Sequence, residues 1–313
     1  RCHIYKSEPR TTALLELLVE NEHVIKVEGA AYDKGFVENH YFPTKSLANQ
    51  LAIFAPFVEQ EIVPSRKYLK INQPEEAYKD FIWPDDHPDL QDIIRINEYG
   101  KHQSWTLKAP IRQTYNQNPF MVGRLTTPFQ NLPTRKYDIR KNTHINGQSI
   151  AEVDFNANHL RIYLAHKGQP YSGADPYMEL AGIAGVSRDD AKGFVTVAMN
   201  CDSLQEAIGA ALKDNAVSMK AALKVHRAFQ ERFKGIELYS GFGIYAMNYE
   251  GIILKRVILK AMEHDVFCLP IHDAVACESK HSELVSLLMH ESWEQEIGNL
   301  SGGATVRTVV KVS

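Results

Sequence analysis

The apolar and polar positions of this 313-residue chain fall into runs of two periods. Residues 11–20, TTALLELLVE, have helical spacing behind a Thr cap, and Ser46–Ala55 repeat that pattern. Between Pro56 and Pro110, prolines at 64, 74, 84 and 88 interrupt each candidate element, so a small mixed module is expected there. From about residue 120 the pattern sharpens. SIAEVDF at Ser149–Phe155 alternates as a strand, and HLRIYLAH after it has helical spacing. Ala174–Asn200 reads as two helices parted by Gly185-Val186. The second is opened by Ser187 with Asp190 three residues on, a capping box using Asp in place of Glu. Ala216–Phe233 and Tyr249–His264 read as further helices. Phe267–Ile271 and Ala274–Glu278 read as a hairpin with His272-Asp273 at its tip. Glu283–Ile297 forms an amphipathic helix and Ala304–Val312 a last alternating strand. The expected fold class is α+β, an antiparallel sheet backed by helices.

Composition narrows the class of protein. With 44% hydrophobic and 23% charged residues the chain is an ordinary globular one, and its length suggests two packed domains. No apolar run reaches the ~18–20 residues of a membrane helix, so no membrane partner is expected. The first residues, RCHIYKSEPR, lack the apolar stretch of a signal peptide and an initiator Met, which fits a fragment or a processed product. Cys2, Cys201, Cys268 and Cys277 are scattered, without zinc spacing, and a reduced, cytoplasmic setting is expected. The net charge of -3 does not advertise a nucleic-acid binder. One stretch differs: Met121–Ile145 holds Arg124, Arg135, Lys136, Arg140 and Lys141 against the single acid Asp138. It reads either as a polyanion track or as a solvated basic loop.

Two carboxylates sit at strand ends. Asp154 closes SIAEVD and Asp273 tips the hairpin. If their strands are neighbours the acids repel unless a cation lies between them, and Mg²⁺ prefers such oxygens. Both also suit plain turn residues. Arg188, Lys192, Thr196 and Asn200, four residues apart, form one helical stripe whose cationic N-terminal end suits a triphosphate. An exposed face balanced by Asp189 and Asp190 is the plainer reading, and Gly193 with its β-branched neighbours makes a poor helix.

Four segments in order add a resemblance: GRLTTPFQNLPTR (Gly123–Arg135), DFNANHLRI (Asp154–Ile162), RDDAK (Arg188–Lys192) and IHDAVACE (Ile271–Glu278). Over residues 115–313 the chain resembles family A DNA polymerases, the class of bacterial DNA polymerase I. The segments are similar to the TGRLSS…QN-I-P-R signature, motif A, the R-x3-K opening of motif B, and motif C. The resemblance implies a palm with an antiparallel sheet and reduced helical fingers inserted at about 170–245, within a domain of residues 116–313. Residues 1–115 would be a thumb-like or accessory module, with no D-x-E of a proofreading exonuclease. It implies template-directed addition of deoxynucleoside triphosphates to a primer. Asp154 and Asp273 would be the catalytic acids, holding two Mg²⁺ (or Mn²⁺) ions with the Phe155 carbonyl. Arg188 and Lys192 would grip the triphosphate. Arg124, Gln130, Asn131, Arg135, Arg140 and His272 would contact primer–template, and Arg161 would hold the palm together.

The departures from the family pattern concern the nucleotide. The Glu of the sugar gate is His159, the motif B ring is Thr196, its Tyr-Gly is Asn200-Cys201, and the acid after His-Asp is Ala274, with Glu278 retained. Two other readings stay open: a single-subunit RNA polymerase or primase-like enzyme, and a non-catalytic nucleic-acid-binding relic. The compact, divergent form suggests a phage or mobile element acting in a bacterial cell, with a helicase or primase of the same element as candidate partner.

Overall fold

The computed structural model describes residues 9–27, 31–32, 35–36, 40–47, 68–105, 109–134, 139–213, 217–303 and 306–313. The fold is α+β and divides into two compact units, Arg1–Ile62 and Val63–Ser313. In the first unit, helix α1 (Pro9–Glu20) precedes strand β1 (Val24–Val27), which pairs antiparallel with β4 (His40–Pro43). β2 (Ala31–Tyr32) and β3 (Gly35–Phe36) form a small antiparallel pair. Glu16 on α1 takes hydrogen bonds from Lys26 Nζ at 2.8 Å and the Tyr41 hydroxyl at 2.9 Å. The helix expected at Ser46–Ala55 lies outside the described residues from position 48 onward.

The second unit begins with β5 (Leu69–Asn72), which pairs in parallel with β6 (Arg112–Asn116), itself antiparallel to β7 (Arg124–Thr126). Strands on both sides of residue 115 thus share one sheet, and residues 68–115 belong to the larger unit. Helix α2 (Pro88–Lys101) packs against this sheet and buries Leu90, Ile93 and Ile96. The prolines that read as breakers include Pro88, which starts this helix: at the first turn its missing N–H costs no hydrogen bond.

The main sheet has the order β10 (Leu269–Ile271), β11 (Ala274–Glu278), β9 (Gln148–Phe155), β12 (Val310–Val312), all antiparallel, with β8 (His144–Ile145) also on β9. Ala151, Val153 and Phe155 of β9 are buried while Glu152 and Asp154 point to the other face. α3 (Asn158–His166) follows β9 directly, and α8 (Gly243–Glu263) and α9 (Ser282–Leu300) complete the helical layer. Trp293 of α9 is fully buried and donates its indole N–H to Asn158 Oδ1 at 2.9 Å. Between α3 and α8 lie α4 (Pro176–Ala184), α5 (Arg188–Ala198), α6 (Leu204–Lys213) and α7 (Met219–Arg232), packed on one another. α6 was not expected from the sequence. α5 forms despite its weak propensity because Ala191, Phe194, Val195 and Ala198 are buried on one face, and the Ser187–Asp190 capping box closes its start.

Among the described residues, no helix is long and apolar enough to cross a membrane. Cys201, Cys268 and Cys277 are free and buried.

Candidate active site

Strand register brings the two acids to one place. Asp154 stands opposite Ala274, so Asp273, one residue earlier in the hairpin tip, lies beside the end of β9. The backbone around them is bent into the left-handed region at non-glycine residues: His272 (φ 53°), Ala157 (φ 57°) and Val122 (φ 71°), the last beside Gly123 (φ 60°). A two-residue hairpin turn asks for such an angle at His272, and β-branched Val122 is an outlier by any sterics. Strain of this kind costs on the order of 1–3 kcal/mol per residue and persists only where surrounding packing enforces it.

The acids are electrostatically uncomfortable. Burial pushes the Asp154 carboxyl above its ordinary range, and the nearby Asp273 pushes it further, against the pull of Lys192 and Lys311. Burial and then Glu250 raise Asp273, against His159 and Arg124. Asp154 Oδ1 is buried without a hydrogen-bond partner among the described residues. The Asn156 amide bonds to the Val309 carbonyl on the β12 side. Peptide groups alternate along a strand, so the Phe155 carbonyl faces the β11 side, at the level of Asp273. Two repelling carboxylates, one with an orphaned oxygen, and a nearby carbonyl make an oxygen set suited to a hard divalent cation. Among the described residues no group of three or more His, Cys, Asp or Glu side chains is arranged to hold a metal. A cation such as Mg²⁺, which keeps water and substrate oxygens, needs only one or two carboxylates.

Glu250, on α8, is the third acid here and sequence reading missed it. It is 0% exposed. Its Oε1 accepts from Arg124 Nε at 2.6 Å, and its Oε2 bonds to His159 Nε2 at 2.9 Å. Burial would raise its carboxyl, but His159 and Arg124 outweigh burial and hold it below the ordinary value, so it is a carboxylate. Gly251 makes this possible: a Cβ there would collide with the Gly123 carbonyl oxygen, so only glycine lets α8 lie against the chain entering β7. The signal was present in the sequence. Ala246, Glu250, Ile253, Leu254, Val257 and Ala261 share the buried stripe of α8, and an acid on an apolar stripe requires a partner.

The stripe of α5 lies at the surface. Lys192, Thr196 and Asn200 are exposed, and the Lys192 charge acts on Asp154. Arg188 donates through Nε to Asp175 at 2.8 Å and through Nη2 to Asn156 Oδ1 at 3.3 Å, tying the start of α5 to the chain after β9. Thr196 bonds to the buried Tyr177 hydroxyl, and Asn200 Nδ2 donates to the Thr196 carbonyl at 2.8 Å.

The basic run is divided in its roles. Arg140 grips both oxygens of Glu152 at 2.8 and 2.9 Å and donates to the Gln130 carbonyl at 2.8 Å, so its guanidinium is engaged within the fold. Gln130 Oε1 is buried without a partner among the described residues, and Asn131, Lys141 and His272 are exposed. Arg135 lies outside the described residues. Arg161 is buried and donates to the carbonyls of Asn156, Tyr171, Gly173 and Ala174, pinning the 171–174 segment to the start of α3. Glu278, at the far end of β11, is held by Asn146 and Lys280. The structure therefore gathers Asp154, Asp273, His159 and Arg124 around Glu250, with Lys192 acting on Asp154, Arg188 bonded to Asp175 and Asn156, and Arg140 paired with Glu152. Compared with known protein families and with curated proteins, the chain matches none.

Proposed function

We propose that this protein is a template-directed nucleotidyltransferase of the family A DNA polymerase type, extending a primer with deoxynucleotides. One observation carries the reading: Asp154, at the end of β9, and Asp273, in the adjoining hairpin tip, form a half-buried pair whose ionisation each environment opposes. A merely structural pair of turn acids would be placed in water or given cations of its own. On this reading the main sheet is the palm and α4–α7 are the fingers, trimmed to four helices.

Asp154 and Asp273, with the Phe155 carbonyl, would hold two divalent cations, Mg²⁺ or Mn²⁺. When bound, these supply positive charge at the attacking 3′-hydroxyl oxygen and at the departing pyrophosphate. The rest falls to the chain. Lys192 stands on the exposed face of α5, where its ammonium suits the triphosphate, and Arg188 reinforces it at the helix start. Arg124 and His272 suit the primer end, and His159 the sugar. A second reading, an RNA polymerase or primase-like enzyme, is favoured by one feature: a histidine bonded to a carboxylate stands where the family has its sugar-gate Glu.

Primer extension decides among these readings. DNA and RNA templates are each offered deoxynucleotides and ribonucleotides separately. Deoxynucleotide addition on DNA is expected. Ribonucleotide addition alone would establish the second reading, and no addition with intact duplex binding would leave a non-catalytic binder.

A further inference from the structure

The geometry points to Glu250 as a positioning residue that turns His159 from a wall into a hydrogen-bonding partner for the substrate sugar. This rests on the proposed nucleotidyl transfer and concerns a residue that none of the motifs contains. An ionised carboxylate only accepts hydrogen bonds. Glu250 Oε2 lies 2.9 Å from His159 Nε2, so that nitrogen carries the proton. Nδ1 is then the one ring nitrogen free of Glu250, and in the neutral ring it is an acceptor.

The carboxylate cannot turn away. Its other oxygen is held by Arg124 at 2.6 Å, and the close approach of Gly251 to the Gly123 carbonyl fixes the helix that carries it. A steric gate excludes a 2′-hydroxyl by packing a group that offers it nothing. A ring nitrogen with a lone pair offers that hydroxyl, a donor, a place to bond. Discrimination built on shape alone is modest, whereas discrimination built on a paired polar group is large. With Glu250 in place, ribonucleotides are accommodated by His159, and sugar choice depends on a residue one layer behind the one that meets the sugar.

Two measurements test this. Nitrogen-15 NMR of the histidine side chains in the whole chain reads the His159 tautomer without any substrate. Protonated Nε2 with unprotonated Nδ1 is expected, disturbed in Glu250→Gln; the opposite tautomer, or a ring protonated on both nitrogens, in the unsubstituted protein overturns the proposal. Kinetics form the second arm. Glu250→Gln, which keeps the volume, should raise the KM for ribonucleotides about tenfold with little change for deoxynucleotides, and the shift should vanish in a His159→Ala background. Equal losses for both sugars would mean that Glu250 is only structural and would overturn the proposal. If the unsubstituted protein adds no nucleotide of either kind, the nucleotidyl-transfer reading fails, and the tautomer still decides whether Glu250 sets the ring.

Discussion

Helix α8 carries two buried charges five residues apart, Glu250 and Lys255, and their surroundings differ in one respect. Lys255 is ion-paired to Asp89 and, at 3.2 Å, to Asp92, and Asp89 also accepts from the Tyr115 hydroxyl at 2.6 Å. Burial would raise the Asp89 carboxyl, but Lys255 and Tyr115 together keep it lowered, so this cluster is balanced. Around Glu250 the chain gathers two more acids, Asp154 and Asp273, and among the described residues only Glu250 of the three has an ion pair. Asp154 and Asp273 stay raised. A fold that can balance the half-buried Asp89 beside Lys255 leaves two half-buried acids unbalanced beside Glu250, five residues earlier on α8. On the proposed reading, balanced charge serves architecture and the unbalanced pair is the place for a cation from outside.

The sharpest way to break this contrast is to neutralise one acid. Asp154→Asn should reduce primer extension on the order of 10³-fold or more, since several kcal/mol of cation-assisted stabilisation would be lost. In metal-free buffer at neutral pH its melting temperature should rise, because a repulsion is removed. Normal extension, or a marked fall in melting temperature, would place Asp154 with the structural acids.

The reverse experiment is Lys255→Met. It should cost about 2–3 kcal/mol in urea unfolding, because Asp89 is left part-buried without its cation. A loss under about 0.5 kcal/mol would erase the difference between the two clusters.

The contrast also has a pH signature. For Asp154 and Asp273 the folded carboxyls hold protons more tightly than unfolded ones. Their contribution to stability is therefore present at low pH and lost as pH rises through the raised values. Glu250 and Asp89 have the opposite sign: their contribution is present above the ordinary carboxylate range and lost as pH falls through their lowered values. Mg²⁺ should accordingly raise the melting temperature more at pH 8 than at pH 5, as thermal scans would read. An equal rise at both, or none, would count against a cation between the acids.

The smallest effect concerns cations at the surface. Arg140 is engaged by Glu152, whereas Lys141 is exposed. Lys141→Ala should flatten the salt dependence of primer–template binding by about one unit of slope, and Arg140→Ala should leave the slope unchanged. The opposite order would assign the phosphate contact to Arg140 and not to Lys141.

Local chemistry made most of the second unit legible. The capping box at Ser187 and Asp190, the hairpin about His272-Asp273 and the alternation of β9 are each written in a few neighbouring residues. The stripe from Arg188 to Asn200 was readable for the same reason. What escaped depends on partners distant in sequence. α2 was hidden because a proline that breaks a helix interior also begins one. Glu250 was hidden because its role is defined by Arg124, 126 residues away, and by His159, 91 residues away. The Arg140–Glu152 pair was hidden because charge patterning records a cation and not the acid that meets it.

Gly251 has a further consequence, for inheritance. The backbone contact with the Gly123 carbonyl leaves no room for even a methyl group. Any replacement must push α8 outward, and Glu250, its neighbour, would leave Arg124 and His159 together. In a library covering every position of the chain, residue 251 should be as intolerant as the acids themselves, although it contributes no functional group. A lineage carrying this site can vary much of its surface and still be confined by the one hydrogen atom at which two stretches of backbone touch.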